Sequence, residues 1–98
     1  MLEAVRLSLR LTVSDFDAEI LDIIEACKLD LHVAGVARIP DNDPLILRAV
    51  TLYAKGHFGF ADMGEKYLKA YESLKITLSV SSAYKVAEIE ADGGDEYV

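Results

Sequence analysis

The amino-acid sequence predicts an all-α domain, a small bundle of about four helices, and three observations carry that reading. Apolar residues recur at three- and four-residue spacing over three long segments. Each segment carries its own start or stop residues. The one strand-like stretch, at the N-terminus, has no second strand to pair with. The arrangement expected is a short N-terminal helix, a long second helix and a C-terminal helical hairpin. Residues 1–82 are expected to form that helical domain, and residues 83–98 a mobile acidic tail.

The first thirteen residues read two ways. Val5, Leu7, Leu9, Leu11 and Val13 alternate with Arg6, Ser8, Arg10 and Thr12, as in a half-buried strand. Leu2, Val5 and Leu9 also fall on one face of a helix. A lone strand in a helical domain would leave its amides unpaired, which favours a short helix from Leu2 to about Arg10.

From Asp15 to Ala34, Phe16, Ile20, Ile23, Ile24, Cys27 and Leu31 form one apolar stripe. Ser14 is the expected N-cap, with Asp17 three residues on as a short-armed capping box, and Gly35 suits the left-handed position that ends a helix. Pro40, Asp41 and Asn42 then mark a loop. Asp43-Pro44 announces the next helix, the carboxylate capping free amides and the proline occupying the first helical position. Leu45, Ile46, Ala49, Val50, Tyr53 and His57 trace its apolar face, and Gly56 and Gly59 weaken its end. Asp62 and Glu65 open a third segment in capping order. Tyr67, Leu68, Tyr71, Leu74 and Leu78 carry its stripe to about Val80. The connection is short, so these two helices should pack antiparallel as a hairpin.

Charge is unevenly spread. The chain has 98 residues and a formal net charge of −7. Five acids and no base lie between Val86 and Val98, while residues 1–85 hold ten bases against twelve acids, a net of −2. Such a domain has no electrostatic footprint for gripping phosphates, though a polyanion could slide past it. No stretch approaches the ~18 apolar residues of a membrane span. With a single cysteine and no signal-peptide pattern, the chain is expected to be soluble and cytoplasmic when made.

Residue types able to do chemistry are present but not assembled. His32 and His57 lie on different helices, with no metal-ligand spacing, and Cys27 sits mid-stripe, where core packing explains it better than catalysis. No serine stands in a nucleophile-elbow context. Asp15, Asp17, Glu19 and Asp22 suit a helix N-terminus better than acid–base work. No cofactor or metal is called for, and nothing supports an enzyme. Phe58 and Phe60 at the hairpin corner are candidate protein-interface residues, although burial of that corner is the commoner use. Tyr84, Val86 and Ile89 are further candidates, as apolar residues in an otherwise uncommitted segment.

Taken in order, LEAVRLSLRL, SDFDAEILDIIEACKLDLHVAGV, DNDPLILRAVTLYAKGHFGFAD and YLKAYESLKITLSVSS resemble the phage head–tail connector family, also labelled DNA-packaging proteins, from about Leu2 to Ser82. DPLILRAVTLYAKGHFG followed by YESLK is the most telling piece. The resemblance implies an all-α fold, hence a helical N-terminus, and a non-enzymatic structural role. It also implies self-assembly into a ring beneath the portal protein, joined by a tail-completion protein, with DNA passing nearby during packaging and ejection. The setting implied is the virion, or the host cytoplasm during assembly, from phage or prophage. Leu7 departs from that pattern, and the acidic tail matches no motif of it. A small helical adaptor or antitoxin-like binding module stays open as the alternative, separable by the copy number of the assembly.

Overall fold

A computed structural model describes residues 1–11, 13–58 and 63–84. Four helices follow one another, α1 (Leu2–Ser8), α2 (Asp17–Val33), α3 (Pro44–His57) and α4 (Gly64–Val80), and no strand occurs among the described residues. Residues 82–84 add a last helical turn. Helix α3 is the centre: it packs most extensively on α4, then on α2, and also touches α1, which lies against α2. One core results, built from Val5 and Leu9, from Ile20, Ile24, Cys27 and Leu31, from Ile46, Ala49, Val50 and Ala54, and from Tyr71 and Leu78, with Val36 of the α2–α3 loop.

The N-terminal residues are helical, and burial explains why they looked like a strand. Val5 and Leu9, four apart, are buried, whereas Leu7 between them is 65% exposed. Leu7 therefore creates the alternation without serving the core. The helix stops before the expected Arg10. Arg10 takes a left-handed φ of 62°, its N–H donating to the Leu7 carbonyl at 2.9 Å and the Leu11 N–H to Arg6 at 3.1 Å. That is the Schellman pattern.

The same device closes α2. Gly35 has φ 106°, its N–H donates to His32 at 3.0 Å, and the Val36 N–H donates to Leu31 at 2.9 Å. Val36 and Leu31 are both fully buried, completing the hydrophobic contact that accompanies the motif. Beyond Gly35 itself and its chain neighbours, no heavy atom lies within 4 Å of where a Cβ would stand, so only backbone strain opposes a side chain there. Gly35→Ala should cost about 1–2 kcal/mol, read as a lowered denaturation midpoint with unchanged m-value.

The start of α2 corrects the capping expectation. Its N-cap is Phe16, with no side-chain cap, and Ser14 contributes only its carbonyl, which accepts from the Asp17 N–H at 3.1 Å. Asp17 is used otherwise: its carboxylate accepts two bonds from Arg6 Nη1, at 3.1 and 3.2 Å, tying α1 to α2. A long-range ion pair fixes the angle between two helices, which a local capping box cannot do. The cap of α3 is as expected: Asp43 Oδ1 accepts from Leu45 N at 2.8 Å and Ile46 N at 3.2 Å, with Pro44 in the first turn. Helix α4 begins at Gly64 with Met63 as N-cap; Asp62 lies outside the described residues.

Gly56 does not merely weaken α3. A Cβ there would stand 2.5 Å from Cγ and Cδ2 of Leu68, so the missing side chain lets α4 approach. Buried Ala49 and Ala54 are small for the same reason: α3 is flanked by all the other helices.

Candidate interaction surface

A few polar side chains of the domain fasten one helix to another. Tyr71 is buried on α4, and its hydroxyl donates to Asp30 Oδ2 of α2 at 2.6 Å. Lys75, one turn on, donates to the same oxygen at 3.0 Å and to Glu72 at 3.1 Å. Burial pushes the Asp30 carboxyl up, but the bonds from Tyr71 and Lys75 together outweigh it and hold the group below its usual value. Burial, with the Asp30 bond second, drives the Tyr71 hydroxyl well above the phenol range. Cys27 adjoins this group, and burial pushes its thiol up to about 12, so it carries no thiolate near neutral pH. The cluster is a clamp between α2 and α4. Among the described residues no group of three metal-binding side chains occurs. His32 and His57 are exposed, His57 lying 4.2 Å from the Tyr53 ring, centroid to centroid. No helix of the described residues is long and apolar enough to cross a membrane.

Of the candidate interface residues, two are described. Phe58 is half-buried against the core and meets Phe16 edge-to-face at 6.3 Å, closing the gap between α3 and the start of α2. Tyr84 folds back on its own subunit. Its carbonyl accepts from the Ala37 and Arg38 N–H groups at 2.7 and 2.9 Å, and its hydroxyl donates to the Asp43 carboxylate at 2.9 Å. Asp43 thus caps α3 and holds the C-terminal turn at once. Phe60, Val86 and Ile89 lie outside the described residues.

Sequence reasoning missed the outward-facing apolar residues of the long helices. Leu29 is 63% and Val33 77% exposed on α2, one turn apart and opposite the buried Ile24–Cys27–Leu31 stripe. Ile76 (61%) and Val80 (68%) repeat that spacing on α4. A second apolar row at i, i+4 was legible, but assigning it to solvent needed the phase that burial supplies. Also missed was a groove of about 400 Å³ between α3 and α4, floored by Leu47, Leu52 and Tyr67 and edged by Arg48 and Lys55. The Lys55 ammonium sits 5.3 Å from the Tyr67 ring centroid. Arg48 and Lys55, seven apart, share one face of α3.

The described residues form a small all-helical bundle, with ion pairs and hydrogen bonds between its helices and apolar residues facing outward on α2 and α4. The model of a family described as phage connector protein matches residues 1–85, and the chain belongs to that family. It is accordingly a structural component of a phage particle, of the head–tail connector type, made to assemble with other head and tail proteins. No curated protein and no solved structure matches the chain.

Proposed function

We propose that the chain is a non-enzymatic connector subunit that joins copies of itself into a ring between the portal protein and a tail-completion protein, with DNA passing through. The family match over residues 1–85 carries this reading. Three features support it. The domain is close to charge-balanced, so a polyanion can pass without being gripped. Leu29 with Val33, and Ile76 with Val80, offer apolar rows on two different helices, suited to a head-to-tail contact in which one surface meets another. The residues after the domain combine Val86 and Ile89 with acids, and they can dock on a neighbouring subunit or the portal.

Because Tyr84 is bonded into its own subunit, a cut before it would remove hydrogen bonds of the fold. A cut after it separates folding from assembly. A chain ending at Tyr84 should keep its melting temperature within a few degrees yet fail to enter particles, as read by electron microscopy of heads completed with that version. Normal incorporation would refute the role given to the tail. The mass of the complex isolated from particles separates a ring of many copies from the one-to-one or dimeric assembly of an adaptor.

A further inference from the structure

The last described turn is joined to the α2–α3 loop by polar bonds across a cleft, and the loop has anchors of its own. Helix α4 ends at Val80, and Ser81 is extended, with φ −80° and ψ 125°, so the chain changes direction there. Residues 82–84 then cross to the loop. The Tyr84 carbonyl accepts from the adjacent Ala37 and Arg38 amides, and its hydroxyl donates to Asp43 Oδ2 at 2.9 Å. Beside these bonds lies an open cleft of about 400 Å³, lined by Arg38, Pro40 and Asp43 of the loop and by Ser82, Ala83 and Tyr84 of the turn. The turn is therefore under-packed: Ser82 and Ala83 are exposed, and the half-buried Tyr84 ring is what it packs against the core.

We propose that residues 82–84 are a latch that opens and closes as one unit on the α2–α3 loop while the helix bundle stays folded, with Asp43 as its catch. The loop does not need the latch to hold its shape. Val36 is fully buried and its N–H donates to the Leu31 carbonyl, and Lys28 of α2 donates to Asp41 at 2.9 Å. Asp43 divides its work between two oxygens. Oδ1 accepts the α3 cap bonds from Leu45 and Ile46, and Oδ2 is the nearer acceptor for Tyr84. Releasing the hydroxyl therefore leaves α3 capped. Opening exposes one half-buried ring and breaks bonds that water can replace, far less than the bundle buries, so it belongs at the low end of the local openings a domain undergoes. Closed, the latch fixes the direction in which the chain leaves Tyr84. Open, it frees that direction and uncovers the Ala37 and Arg38 amides beside the Asp43 carboxylate. The latch is a property of the single subunit and does not rest on ring formation.

Amide hydrogen exchange of the full chain, followed by NMR, tests this. Ala37 and Arg38 should share one opening, with protection roughly 100-fold below that of Val50 and Ala54 in the buried face of α3. Tyr84→Phe keeps the carbonyl to which these two amides are bonded and removes only the hydroxyl. Exchange at Ala37 and Arg38 should nonetheless quicken roughly tenfold, as for the loss of one hydrogen bond to a charged group, with Val50 and Ala54 unchanged. Unchanged rates at Ala37 and Arg38 in that variant would make hydroxyl and carbonyl separate contacts and would overturn the proposal. So would protection at Ala37 and Arg38 equal to that of the core, or acceleration of Val50 and Ala54 by the same factor, because the turn would then open only with the bundle.

Discussion

Tyr71→Ala is expected to cost about 3–5 kcal/mol and to lower the melting temperature by roughly 15–30 °C, a large part of what holds a domain this small together. Tyr71 is the largest fully buried side chain, it meets Tyr53 edge-to-face at 5.0 Å, and with Leu78 it is α4's buried contribution to the core. Truncation also strips Asp30 of one of its two donors. Tyr71→Phe isolates that second effect, keeping the ring and removing the hydroxyl. It should cost about 1 kcal/mol, because Asp30 retains Lys75 and is open enough to regain water. The two variants also differ from the parent in acid. The folded-state value of Asp30 is depressed, so the stability it adds is complete above the ordinary carboxylate value near 3.8 and is lost as pH falls through the lower, folded one. Without the Tyr71 donor the depression shrinks, and the acid-dependent loss attributable to Asp30 becomes smaller. Urea melts of parent and Tyr71→Phe from neutral pH to about pH 3 measure it. If Tyr71→Ala unfolded no more easily than Tyr71→Phe, the ring would not be the core element described here.

The second large effect sets two leucines of α2 against each other. Leu31→Ala should cost about 2–5 kcal/mol, since Leu31 is fully buried and packs with Val36 at the helix stop. Leu29→Ala, the same substitution two residues earlier, should change stability by no more than about 0.5 kcal/mol, because that side chain is already in solvent. Denaturant midpoints read both. If ring assembly uses the outer row of α2, Leu29→Ala will instead reduce incorporation into particles while the purified subunit melts as before. Equal stability losses at the two positions would mean that the phase of α2 is wrong.

Much of the architecture was legible from local chemistry. The stripes of α2 and α3 located two helices; Asp43-Pro44 started one and Gly35 stopped another, because caps and left-handed turns are satisfied within a few residues. The strand-like N-terminus was ambiguous because periodicity counts apolar residues without knowing which are buried, and exposed Leu7 entered the pattern on equal terms with Val5 and Leu9. Gly56 looked like a weak point in a helix because its reason, contact with Leu68, sits on another helix. The candidate surface was less legible. Phe58, a candidate whose burial was the commoner expectation, closes a seam to Phe16, and Tyr84, from a segment that looked uncommitted, is bonded to Asp43.

By itself, then, the sequence determined the helical class, the order of the three long rods, the cap of α3 and the stop of α2, and a run of five acids without a base in the last thirteen residues. These follow from interactions spanning at most a turn or two of chain. Only the tertiary structure decided that Asp30 serves Tyr71 and Lys75, that Asp17 serves Arg6, that α3 packs most extensively on α4, and that Arg48 and Lys55 border a groove. Those partners lie 11 to 45 residues apart, and separations of that size leave no periodic trace. They exist because burying the apolar stripes brings the helices into one register, and that register then selects which charges meet.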